Sequence, residues 1–268
     1  MMRKPSVVLF ILCVIVALAP PPPASAQLPE PNAIGVATGH IHLNVGDVEA
    51  QKKMWVDLGA EVTATGTLEL LRIPGMYLIL RDREPTGPSD GTTVNHFGFS
   101  VRSYATIRSK LIDHNMEIMS DDPDGKQITV QSPDGARLEF TESDSIDVPI
   151  EFHHIHMVGT DQEGIRDWYV RIFGAEASSR RVWPSAGVPG GRIDVIKTEV
   201  RQEPTLGRAI DHIGFEVADM EAFAARLRSE GIKFNVEPRE IFRIGLKIAF
   251  ITDPIGTYIE ITEGLSGK

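Results

Sequence analysis

Cysteine is almost absent from this 268-residue chain; Cys13 is its only one. A disulfide framework, a thiolate nucleophile and a cysteine-ligated zinc are excluded for any mature form that lacks Cys13. Positive charge is also scarce, with 27 basic residues against 37 acidic ones and a net charge of −10. A phosphate-neutralising surface is not available, so nucleic acid is excluded as a partner. Long apolar runs are missing too. The longest, Val7–Leu18, falls short of the roughly 20 residues that span a bilayer as a helix. What remains, 42% hydrophobic and 24% charged, is the composition of a packed globular protein with length enough for two domains.

The first 26 residues stand apart. Arg3 and Lys4 precede the apolar run, and Ala24-Ser25-Ala26 supplies small residues before Gln27. This is the pattern of a cleavable secretory signal. Leu12, before Cys13, is too large for the small residue that lipoprotein signals place there. Cleavage after Ala26 removes Arg3 and Lys4, leaving 25 basic residues against 37 acidic ones, a charge of −12. The expectation is an exported protein, periplasmic or secreted, with no membrane attachment after cleavage.

The rest of the chain is a tandem repeat. Gly39-His40-Ile41-His42 is echoed by His153-His154-Ile155-His156, an offset of 114. Asn95-His96-Phe97-Gly98-Phe99 is echoed by Asp211-His212-Ile213-Gly214-Phe215, an offset of 116. Ser132-Pro133-Asp134-Gly135, running on to Glu139, matches Asp253-Pro254-Ile255-Gly256, running on to Glu260, and the two glutamates lie 121 apart. Two domains are expected, 33–145 and 150–264, with the seam near Ser143–Pro149. Within each half, every histidine strand is followed by a cap and a helical stretch: Asp47 before Val48–Leu58, Ser103 before Tyr104–His114, Asp161 before Gln162–Phe173, and Asp219 before Met220–Glu230. Short alternating runs follow, such as Leu68–Ile73, Met76–Leu80, Gln127–Gln131, Arg192–Lys197 and Lys247–Ile251. The unit is therefore strand, helix, then about three strands, used four times.

Of the eight histidines, only His114 lies away from the strands that open these units. Alternation puts His40 and His42 on one face and Ile41 and Leu43 on the other, and divides His96 from Phe97 and His212 from Ile213 in the same way. Glu139 and Glu260, each flanked by apolar residues, fall on the polar face. Two imidazoles and one carboxylate suit Fe(II), Zn, Ni, Mn or Co, with positions left for substrate. His42 and His156 are either packing partners or general acids and bases. His153 points the other way, as a structural residue.

These motifs resemble those of the vicinal oxygen chelate superfamily, which contains glyoxalases, bleomycin resistance proteins, epimerases and extradiol dioxygenases. The resemblance covers nearly all of the mature chain. It implies an α+β fold of tandem domains, each of two βαβββ modules forming a cup-shaped mixed sheet. It also implies metal on His40, His96 and Glu139 in the first half and on His154, His212 and Glu260 in the second. Glyoxalase-like and epimerase-like members take a fourth ligand from the last strand of a half's first unit, where Leu78 stands in one half and Asp194 in the other.

The expected function is an exported, divalent-metal-dependent glyoxalase-like lyase or isomerase, acting on a small oxygenated substrate that chelates the metal. Asp194 or His156 would shuttle a proton. The alternatives are an extradiol-type Fe(II) dioxygenase and a small-molecule binding or sequestering protein. The chain is expected as a monomer or homodimer. The second half carries Asp194, a longer loop at Trp183–Gly191, and Arg180 and Arg181. The set ending in Glu260 is therefore expected to be the more active.

Overall fold

The computed structural model describes residues 28–265. The signal sequence expected at the N-terminus lies outside the described residues. Four modules of one pattern follow in order. The first is β1 (Val36–Val45), α1 (Val48–Leu58), β2 (Glu61–Thr65), β3 (Leu68–Ile73) and β4 (Met76–Asp82); the second is β5 (Val94–Val101), α2 (Tyr104–Asp113), β6 (Glu117–Asp122), β7 (Gln127–Gln131) and β8 (Arg137–Glu142). The third is β9 (Ile150–Gly159), α3 (Gln162–Phe173), β10 (Glu176–Arg180), β11 (Trp183–Val188) and β12 (Gly191–Lys197); the fourth is β13 (Ile210–Val217), α4 (Met220–Ser229), β14 (Phe234–Ile241), β15 (Leu246–Thr252) and β16 (Tyr258–Glu263).

Every helix begins where its cap predicts. Asp47, Ser103, Asp161 and Asp219 accept hydrogen bonds from the backbone N–H of Ala50, Thr106, Gly164 and Ala222, each satisfying a donor the first turn leaves free, for about 1 kcal/mol. No helix among the described residues is long and apolar enough to cross a membrane. The stretch from Trp183 to Gly191, expected as a loop, is instead β11 and its tight turn into β12. Pro184 and Gly187 interrupt the alternation that would mark it as a strand.

The strands form two eight-stranded mixed sheets. One runs β14-β15-β16-β13-β1-β4-β3-β2 and the other β10-β11-β12-β9-β5-β8-β7-β6. The first joins modules one and four, and is called here the terminal cup; the second joins modules two and three, the central cup. Each sheet is thus built from both halves of the sequence. The seams are antiparallel, β1 on β13 and β5 on β9, with register shifts beside His40, His42, His96 and Gly98. Such bulges re-aim side chains locally.

The faces carrying Ile41, Leu43, Phe97, Phe99 and Phe215 turn to the helices in one continuous core. Trp55 of α1 stacks on Phe97 with centroids 6.3 Å apart, and Phe173 of α3 stacks on Phe215 at 4.0 Å. Those rings tie the helices of one sheet to the strands of the other. The histidine faces are left to line the two cups.

Candidate metal centres

The exchange of modules regroups the polar side chains. His40, His42, His212 and Glu260 converge in the terminal cup, and His96, Glu139, His154 and His156 in the central cup. In each group one ligand atom from every residue lies within 4.8 Å of the others. All six residues expected as ligands enter these clusters, but the expected sets do not hold. His40 is grouped with His212 and Glu260 rather than with His96 and Glu139, and His154 with His96 and Glu139 rather than with His212 and Glu260. The reason is topological, since β1 pairs with β13 and β9 with β5. His42 and His156 join as fourth members.

Each seam places a glycine opposite a histidine: Gly214 faces His40 and Gly98 faces His154. A Cβ on Gly214 would lie 2.2 Å from the His40 ring, and one on Gly98 2.3 Å from the His154 ring. The absent side chain is the space that the imidazole fills.

In the terminal cup, Nε2 of His40 and of His212 each stand 2.9 Å from Oε2 of Glu260. Nδ1 of His212 donates to Asp211 at 2.6 Å, and the other oxygen of Asp211 accepts from Asn44 and from the backbone N–H of Gly207. Burial alone would lower the His212 pKa, but its bonds to Asp211 and Glu260 outweigh that and raise it to about 8. Burial pushes Glu260 up, and the two imidazoles more than reverse it, holding the carboxyl well below its usual range. The ring nitrogens of His42 are buried without a hydrogen-bond partner, and desolvation, followed by the His212 charge, holds its pKa well below 6.5.

In the central cup, Nε2 of His96 stands 3.5 Å from Glu139, and Nε2 of His154 stands 3.8 Å from it. Nδ1 of His96 donates to the amide oxygen of Asn95 at 2.8 Å. Glu139 sits at about 2, where contacts with His96 and His154 overcome the upward push of burial. Burial lowers both His96 and His154. The ring nitrogens of His156, and Nε2 of His96 and of His154, are buried and unpartnered. An unsatisfied buried polar atom costs about 1–3 kcal/mol. A divalent ion that accepts these lone pairs removes the cost, and donors at about 2.1 Å from one ion stand roughly 3.0–3.4 Å apart, close to the spacing in both clusters. The residues fit a metal in each cup.

Asp194 lines the central cup, against the expectation that it serves the Glu260 set. The parallel register of β12 on β9 sets it beside His156, with Oδ2 3.6 Å from Nε2 of that ring. Ser185 and Nε of Arg192 donate to it, and Arg180 lies 3.7 Å away. Burial would raise its pKa; the contacts with His156, Ser185 and Arg192 prevail and hold the carboxyl below its usual range. In the terminal cup the matching register position, beside His42, belongs to Ile79 rather than Leu78. His153, expected as a structural residue pointing away, bridges inward. Its Nδ1 lies 2.8 Å from Nδ1 of His154, and Arg192 donates to its Nε2 at 3.0 Å.

The residues missed in the sequence are those behind the histidines. Asn95 and Asp211 immediately precede His96 and His212, so their shared place in the repeat was the available signal. Arg192 and Ser185 carried none, being set by the β11–β12 register.

Residues 151–261 match the model of the Glyoxalase/Bleomycin resistance protein/Dioxygenase superfamily. Among curated proteins none matches the chain. Glyoxalase I from Zea mays shares 16% identity over 86% of this chain and 93% of its own, with a TM-score of 0.66. A putative dioxygenase from Bacillus subtilis subsp. subtilis str. 168 shares 16% identity over 88% of this chain and 86% of its own, at 0.64. Both likenesses are of fold. The second repeat thus matches the superfamily model, and the whole chain shares the fold of these solved structures, its four modules arranged as two metal-competent cups.

Proposed function

We propose that this protein is an exported, divalent-metal-dependent lyase or isomerase, working in its central cup on a small anionic substrate with adjacent oxygens. The observation carrying the reading is the pairing of Asp194 with His156 next to the His96, His154 and Glu139 donors. These three would hold the ion, which supplies a Lewis acid for two neighbouring substrate oxygens and for the negative charge that develops on them.

The chain's own groups divide the remaining work. Asp194 is held too low to be an effective base, so His156 takes and returns the proton, and Asp194 fixes the ring for it. Trp183 packs edge-on against His156 with centroids 4.9 Å apart and limits water around the ring. Arg180 and Arg192 are about a quarter to a third exposed at the cup wall and supply charge for a substrate carboxylate. Export, with a mature chain beginning near Gln27, rests on the first 26 residues alone and is tested by sequencing the N-terminus of protein recovered from the native host.

The second reading is extradiol-type dioxygenation with Fe(II), favoured by the two-histidine, one-carboxylate composition of His96, His154 and Glu139. One experiment separates the two. Protein purified without added metal is analysed for its ion, then incubated in deuterium oxide with small α-hydroxy ketones and α-hydroxy acids. Zinc, nickel or manganese with deuterium entering beside the carbonyl, lost in His156→Ala, supports proton transfer. Iron with oxygen consumption and no exchange supports the dioxygenase, and a metal-free protein that binds these compounds unchanged supports the sequestering alternative.

A further inference from the structure

The two clusters share a donor count but differ in everything around it. In the central cup Oδ2 of Asp194 stands 3.6 Å from Nε2 of His156. In the terminal cup Ile79, which has no polar side-chain group, takes that place beside His42. On a tetrahedral ion such as zinc, four donors leave no position for substrate, whereas three leave one. The backing of the seam histidine differs too, a carboxylate from Asp211 behind His212 against an amide oxygen from Asn95 behind His96. A carboxylate there makes the imidazole a stronger donor and tightens the metal.

The cup walls diverge in the same sense. The terminal cup is walled by an apolar cluster of the chain's own Leu70, Tyr77, Ile79, Leu246, Ile248 and Leu265, all buried. Its hairpin tips meet, with Thr65 Oγ1 donating to the Ile244 carbonyl at 3.0 Å and the Thr67 N–H to that of Arg243 at 3.3 Å. The facing tips of the central cup, β6–β7 and β10–β11, share no hydrogen bond among the described residues. Its wall is polar and half-exposed, with Thr129, Gln131, Arg137, Arg180 and Arg192.

We propose that the His40, His42, His212 and Glu260 centre is a structural metal site, slow to exchange and closed to substrate, which staples the first module to the fourth. The central centre alone exchanges freely and meets small molecules. This goes beyond the proposed reaction and does not depend on it, because none of the measurements below uses turnover.

The full-length protein is loaded with Co(II), and release to excess EDTA is followed through the Co(II) visible spectrum. Two phases of equal amplitude are expected, at least about tenfold apart in rate. Oxalate, a small chelating dianion, should perturb the spectrum of the fast ion only. Asp211→Asn should accelerate the slow phase about 10–100-fold and leave the fast phase alone, while Asn95→Asp should slow the fast phase. Loss of the slow ion should lower the Tm more than loss of the fast ion does. A single release rate, oxalate reaching both ions, or Asn95→Asp altering the slow phase would overturn the proposal. So would a single bound equivalent that survives Glu260→Gln. If Asp211→Asn fails to fold, the parent protein with oxalate and the Asn95→Asp variant still decide.

Discussion

Gly98 lies directly across the β5–β9 seam from His154, and a methyl group on it would stand 2.3 Å from that ring. Its backbone is not in the left-handed region, so alanine is tolerated locally and the cost falls on the imidazole. Gly98→Ala is expected to weaken metal binding in the central cup about 10–100-fold, the scale of disturbances just behind a ligand, while the terminal cup keeps its ion. Gly214→Ala, opposite His40, should do the reverse. Metal titration of the two variants checks both arms.

Carboxylate removal separates the cups. With Asp194, Arg180 and Arg192 gathered around the Glu139 centre, Glu139→Gln should cost at least about 100-fold in kcat/KM. Glu260→Gln should spare most of the activity and lower the Tm by several degrees. A larger kinetic loss from Glu260→Gln would assign the chemistry to the other cup.

Asp194→Asn retains the size of the side chain and removes its charge. Holding His156 in place is a contribution to general acid–base catalysis, so kcat should fall by about 10²–10⁴-fold with KM little changed. Arg180→Ala should instead raise KM for an anionic substrate and leave kcat near the parent value. Steady-state kinetics on the pair distinguish positioning from substrate binding.

In the metal-free protein His212 sits at about 8, above the 6.5 of a free imidazole. The protonated ring therefore stabilises that state fully below pH 6.5, and the contribution is lost as pH rises through 8. His42, His96 and His154 are lowered by burial and change their contribution below pH 6.5, which leaves the alkaline window to His212. Between pH 7.5 and 9 about 0.7 kcal/mol should disappear, a fall of ~1–3 °C in Tm. With metal in place of the proton the fall should vanish. Melting curves with and without EDTA test this, and a flat metal-free profile would show that His212 carries no extra proton.

The helices were legible because capping and 3.6-residue periodicity are local signals: Asp47, Ser103, Asp161 and Asp219 all stand where the first turn needs an acceptor. The histidine faces were legible for the same kind of reason. β6 and β10 were not, since both lie at sheet edges with most residues exposed and no buried face to impose alternation. The partnership of the modules was illegible on different grounds. Gly98 would accommodate His40 as well as it does His154, and nothing local to β1 distinguishes β5 from β13 as a neighbour. The ligand sets, and the cup in which Asp194 works, followed from that undetermined choice.

Pairing of module one with four and two with three has a consequence for how such a chain arises. A polypeptide of half this length would hold modules one and two with the seam edges of β1 and β5 uncovered, and unpaired strand edges seek a partner. Two copies related by a twofold axis would cover both, forming two identical cups. In such a dimer every mutation is written twice, so neither cup can specialise without the other. Fusion into one chain ends that constraint, and the contrast between Ile79 and Asp194 is what symmetry would have forbidden.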